Sequence, residues 1–119
     1  MTALSRDFGR RCEERAAAWL AEQGYEILER NYVTPLGEID LIARDRDVTV
    51  FIEVKARRDT RFGHPKQAVN RRKQEKLRRA GLFYLKSVQK TGCRMRFDVV
   101  AMIVPETGAP QMELIRNAF

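Results

Sequence analysis

The chain has 119 residues and a hydrophobic fraction of 44%, enough for one compact domain with its own core and too apolar for a disordered chain. Its longest apolar run, residues 99–104, is far short of the ~20 residues of a membrane span, and residues 1–7 lack the apolar stretch of a secretory signal, so the cytoplasm is the expected location. A net charge of +7 points to a polyanionic partner, nucleic acid above all, while a single histidine and two distant cysteines, Cys12 and Cys93, argue against a zinc site.

In residues 5–23, Phe8, Cys12, Ala16, Trp19 and Leu20 recur at helical spacing, and Gly24 follows where helices commonly end. From Tyr25 the period becomes that of a strand. Residues 25–33 read as a first strand, Thr34-Pro35-Leu36-Gly37 as a turn, residues 38–44 as a second strand and residues 48–57 as a third. Arg46-Asp47 is short enough to close a hairpin between the last two. A charged loop over residues 58–64 leads to Pro65, which suits the first position of a second helix reaching about residue 90. The apolar stripe expected on it is Val69, Leu77, Ala80, Tyr84, Leu85 and Val88. Residues 93–104 read as an apolar strand, residues 105–110 as a turn and residues 112–115 as a last short strand. This order predicts one α/β domain over residues 1–119, a mixed β-sheet flanked by helices in the order α-β-β-β-α-β-β. Both cysteines are expected as buried, reduced thiols.

The positive charge is local. Residues 57–79 hold ten basic side chains against Asp59 and Glu75, a net +8, and the rest of the chain is close to neutral. The partner's footprint should therefore fall on this segment.

In a hairpin turning at Arg46-Asp47, Asp45 faces Val48, Asp40 falls across from Glu53, and Glu38 falls across from Lys55. Residues two apart share a face. Glu38, Asp40, Glu53 and Lys55 are thus predicted on one face, with Ile39, Leu41, Val50, Ile52 and Val54 on the other, toward the core. Two opposed carboxylates repel unless something positive lies between them. Lys55 supplies one charge, and a divalent cation with a preference for hard oxygen ligands, Mg²⁺ or Mn²⁺, would supply more. Such an ion can activate water and polarise a phosphoryl oxygen, with Lys55 orienting the water or stabilising the developing charge. A surface hairpin with cross-strand ion pairs, Glu38 with Lys55 for instance, would use the same residue types.

Gly37-Glu38-Ile39-Asp40-Leu41-Ile42-Ala43, Phe51-Ile52-Glu53-Val54-Lys55-Ala56-Arg57, Arg96-Phe97-Asp98-Val99-Val100 and the terminal Asn117-Ala118-Phe119 extend this pattern. Together they resemble the YraN-like family of small bacterial proteins, which look like nucleases of the restriction-endonuclease-like fold and Holliday-junction resolvases. The resemblance implies that Asp40 and Glu53 bind the metal with the carbonyl of Val54, that Lys55 is the catalytic lysine, and that Glu13 is a further acid beside the metal. It implies an endonuclease acting on DNA, branched or structured forms included, and by analogy with resolvases a homodimer.

Arg57, Arg58, Arg71, Arg72 and Lys73 are the expected phosphate contacts. Gln67 is a candidate polar neighbour of the site, and Phe62 the aromatic best placed to stack on a base. His64 reads as a loop residue or helix cap. Trp19, Tyr25, Phe51, Tyr84 and Phe97 read as core, and Asp98 as the partner of a nearby arginine. Two functions suit the sequence: a Mg²⁺- or Mn²⁺-dependent endonuclease, or a nucleic-acid-binding protein of the same fold with little or no turnover.

Overall fold

The computed structural model of the chain describes residues 3–61, 63 and 69–119. Helix α1 spans Ala3–Glu22 and helix α2 spans Arg71–Ser87; the strands are β1 (Glu26–Thr34), β2 (Gly37–Asp45), β3 (Val48–Arg57), β4 (Met95–Ile103) and β5 (Gln111–Ile115). The element order is α-β-β-β-α-β-β, as predicted, and the five strands lie in the sheet in chain order. β3 and β4 run parallel; the other neighbours are antiparallel. A parallel pair needs a long crossover, and α2 supplies it. Among the described residues no helix is long and apolar enough to cross a membrane.

The two helices cover opposite faces of the sheet. Cys12, Ala16, Ala17 and Leu20 of α1 pack with Leu41, Ala43, Val50, Ile52, Val100 and Met102. Leu77, Ala80, Tyr84 and Leu85 of α2 pack with Ile39, Ile42, Phe51 and Phe97. Gly81 lets α2 approach: a Cβ there would stand 3.0 Å from the Phe51 ring.

Several expectations are corrected. Helix α2 begins at Arg71, with Asn70 as its cap: the Asn70 side chain accepts from the Lys73 backbone N–H at 2.9 Å. The predicted start at Pro65 lies outside the described residues, as do Phe62, His64 and Gln67. The helix stops at Ser87, so Val88 is exposed instead of completing the stripe. Strand β4 begins at Met95, which leaves Cys93 exposed; only Cys12 is a buried thiol. Nor is there a single core face on the β2–β3 hairpin. Ile39 packs toward α2 and Leu41 toward α1, although strict alternation would place them together.

Candidate active site

The site lies where β2 and β3 part. Their pairing follows the predicted register from Asp45↔Val48 to Leu41↔Ile52 and goes no further. Beyond that point β3 continues along β4 to Arg57↔Ile103, while β2 stays on β1 to Thr34↔Gly37. A gap opens between them, and Asp40 turns into it. Its Oδ2 accepts from the Val54 backbone N–H at 2.8 Å. The N–H and C=O of one strand residue point the same way, so the Val54 carbonyl faces this gap too. The break in alternation across Asp40 has a counterpart on β1. Asn31, between the pairs Arg30↔Leu41 and Tyr32↔Ile39, adopts φ 49°, a left-handed conformation that asparagine tolerates.

Glu53 shares a face of β3 with Phe51, at the end of the α2-side core, and is only 4% exposed. Two ammonium groups reach the same oxygen, Oε1: Lys73 Nζ at 2.8 Å and Lys55 Nζ at 3.4 Å. Lys55 therefore pairs along its own strand with Glu53, not across to Glu38. Lys73 comes from the first turn of α2, where the Asn70 cap fixes its backbone. Burial alone would lower the Lys73 pKa, but the hydrogen bond and charge of Glu53 more than reverse this and raise it.

On the α1 side, half-buried Glu13 joins the acids. With its amide nitrogen turned to them, Asn31 donates to Glu13 Oε2 at 2.7 Å and Glu38 Oε1 at 3.1 Å. The Glu13 carboxyl is raised by burial and then by the charges of Glu38 and Glu53, partly offset by a hydrogen bond with Asp40. Asp40 is pushed up from 3.8 to about 7, by burial first and by Glu53 second; the Val54 N–H opposes the shift. The acids thus gather more negative charge than the two lysines relieve.

Three clefts meet at Asp40. One, of about 440 Å³, lies against α2 and is lined by Glu38, Asp40, Glu53, Arg72, Lys73 and Lys76. A second, of about 320 Å³, holds Cys12, Glu13, Asp40, Glu53, Val54 and Lys55. A third, of about 480 Å³, is lined by Arg6, Arg10, Glu13, Asn31, Glu38 and Asp40. A larger hollow of about 520 Å³ lies at the far end of the hairpin, around Asp45 and Arg46, where Arg96 is already committed to Asp45 and Asp98.

Of the five basic residues expected to contact phosphate, Arg72 and Lys73 line the α2 cleft. Arg58 instead lies 4.2 Å over the Phe8 ring and donates to the Val104 carbonyl. Arg57 and Arg71 are exposed and line none of the three clefts. Sequence reasoning counted Lys76 within the basic segment without singling it out, and did not place Arg6, Arg10 or Asn31 at the site. A signal for the α1 pair was available: Arg6, Arg10 and Glu13 recur at steps of four and three, one helix face.

The donor set suits a hard cation in type, since every ligand is an oxygen. Among the described residues no group of three or more His, Cys, Asp or Glu side chains is placed to hold a metal ion. Magnesium does not require such a group: it usually takes one or two protein carboxylates and completes its shell with water and substrate phosphate.

A model of the family described as "Uncharacterised protein family UPF0102" matches residues 12–102, a span that takes in Glu13, Asp40, Glu53, Lys55 and Lys73. A protein of Desulfosudis oleivorans is 46% identical over 112 residues, covering 94% of this chain and 89% of its own length. One of Syntrophomonas wolfei is 46% identical over 116 residues, covering 98% and 100%. One of Moorella thermoacetica is 45% identical over 120 residues, covering 100% of both. Each carries the description "UPF0102 protein".

Proposed function

The chain belongs to the uncharacterised protein family UPF0102, and from its site we propose that it is a metal-dependent endonuclease that hydrolyses phosphodiester bonds in DNA, branched or structured DNA included. The observation that carries this reading is the pair Asp40 and Glu53 at the parting of β2 and β3, with Lys55 on Glu53 and cation-lined clefts on either side.

Asp40, Glu53 and the Val54 carbonyl would hold Mg²⁺ or Mn²⁺. When bound, the ion would lower the pKa of a coordinated water and polarise a phosphoryl oxygen. The chain's own groups do the rest. The Val54 N–H orients the Asp40 carboxylate. Lys55 brings a positive charge and a proton donor beside the reacting phosphate. Glu13, held by Asn31, adds a third carboxylate facing Asp40. Arg72, Lys73 and Lys76 on one side and Arg6 and Arg10 on the other provide phosphate contacts that position a strand over the acids.

A second reading, a nucleic-acid-binding protein of the same fold with little turnover, is favoured by the double capture of Glu53 by lysines. Incubation with single-stranded, duplex, flapped and four-way DNA in Mg²⁺ or Mn²⁺ separates the two. Metal-dependent cleavage that is lost in Asp40→Asn and in Glu53→Ala is expected. Cleavage surviving in both variants would belong to a contaminant, and binding without cleavage on every substrate would favour the second reading.

A further inference from the structure

Lys73 is placed against its helix. The first turn of α2 holds Arg71, Arg72 and Lys73 and no acid, although a helix N-terminus favours anions and disfavours ammonium groups. What compensates Lys73 is Glu53, a nearly fully buried carboxylate that needs a positive partner. Among the described residues only Lys55 and Lys73 pair with it, and Lys73 is the closer, at 2.8 Å. Arg72 and Lys76 line the same cleft without pairing with Glu53.

Glu53 is also one of the two carboxylates proposed to bind a divalent cation, and Lys73 already holds one of its oxygens. We infer that Lys73 is a displaceable counter-ion. In the cation-free protein it neutralises Glu53; when a divalent cation binds, it leaves Glu53 and turns into the cleft it already lines, where it meets a substrate phosphate. The inference rests on the nuclease reading of the site. It couples two binding events: the metal releases an ammonium group that DNA uses, and DNA draws away an ammonium group that opposes the metal. Linkage makes the coupling reciprocal.

Mn²⁺ binding to the DNA-free protein, measured by calorimetry, tests this in wild type, Lys73→Gln, Lys73→Arg and Lys76→Gln, with thermal melts as a check on folding. Lys73→Gln should bind Mn²⁺ about tenfold tighter, within the usual range of coupling between two ligands. Lys73→Arg should stay near wild type. So should Lys76→Gln, which removes the same charge from the same cleft wall. A non-cleavable DNA should tighten Mn²⁺ binding more in wild type than in Lys73→Gln, where only the direct contribution of the phosphate remains. In the wild-type chain bearing ¹³C-methylated lysines, the Lys73 resonance should move on titration with Mg²⁺ while that of Lys76 stays. This arm stands even if Lys73→Gln fails to fold. Equal or weaker Mn²⁺ binding in Lys73→Gln, equal tightening in Lys76→Gln, or a static Lys73 resonance would overturn the displacement alone. Absence of Mn²⁺ binding in both wild type and Lys73→Gln would sink the metal reading with it.

Discussion

The Val54 backbone N–H donates to Asp40 Oδ2 at 2.8 Å, just beyond the last β2–β3 pair, Leu41↔Ile52. A side chain thus takes the place of the next ladder bond. Asp40 both satisfies the backbone of β3 and presents a carboxylate in the gap left by the departing strands, so its structural and chemical roles can be separated by substitution. Asp40→Ala leaves the Val54 N–H without its acceptor, at a cost of about 1–3 kcal/mol, whereas Asp40→Asn keeps a carbonyl oxygen for it. Urea unfolding of the metal-free protein should show the alanine variant less stable than the asparagine variant by about 1 kcal/mol. Equal midpoints would mean that water replaces the bond at no cost.

The same carboxyl sets a pH dependence. Burial, and then Glu53, raise Asp40 from 3.8 to about 7, so the folded chain holds this proton more tightly than the unfolded chain does. The associated stability is complete below about pH 4 and is lost as the pH rises through about 7. Metal-free wild type should weaken across that window by on the order of 1–3 kcal/mol, and Asp40→Asn should weaken less. A metal ion replaces the proton, so Mn²⁺ affinity should climb up to about tenfold per pH unit below 7 and level off above it. Parallel pH–stability curves for wild type and Asp40→Asn would count against the raised carboxyl.

Much of this geometry can be read from residue order. Turn chemistry at Arg46-Asp47 fixes the hairpin register, and five β2–β3 pairs follow it. The point where pairing ends cannot be read from the hairpin, because it depends on the outer partners: β1 holds β2 and β4 holds β3 past the divergence. Ile39 shows the consequence, since its alternation breaks at Asp40. Lys73 read as one of five basic residues expected to contact phosphate, with nothing to tie it to Glu53. Its role depends on where α2 begins, and the Asn70 cap sets that start at Arg71, which brings the lysine over Glu53. Glu13 entered through a family resemblance; its contact with Asn31 and its place beside Asp40 are tertiary facts. Arg58 looked like a phosphate contact and lies on Phe8, because a guanidinium over an aromatic ring is a favourable resting place.

That difference among arginines predicts different responses to salt. Arg10→Ala and Lys76→Ala remove cations that line the clefts meeting at Asp40. Each should weaken DNA binding similarly across sequences and reduce the slope of log affinity against log salt by about 1. Arg58→Ala should leave the slope nearly unchanged and instead lower stability by about 0.5–1 kcal/mol through the lost contact with Phe8. Fluorescence anisotropy over a salt series, with thermal melts alongside, measures both. A full unit lost from the slope in Arg58→Ala would return that residue to the interface.

Asp98 provides a case in which a buried charge is structural. It is fully buried on β4, opposite Ile52, which packs toward α1, whereas Glu53 reaches α2. Arg96 donates to both its oxygens, at 2.9 and 3.0 Å, the Tyr25 hydroxyl donates at 3.2 Å and the Asn117 N–H at 3.1 Å. Asp98→Ala strands these donors and leaves the half-buried Arg96 with Asp45, at 3.2 Å, as its one remaining carboxylate, beside the neutral Tyr25 hydroxyl at 2.7 Å. Removing one partner of a buried pair costs about 3–5 kcal/mol. Asp98→Asn, which still accepts at one oxygen, should lose clearly less. The double variant Arg96→Met/Asp98→Leu should recover much of the loss, because a buried ion pair contributes little beyond what well-packed apolar side chains supply. Urea unfolding gives the three values, and Mn²⁺ titration of the folded variants should match wild type. A change in metal affinity in the double variant would show that this network also positions β3 at the acids.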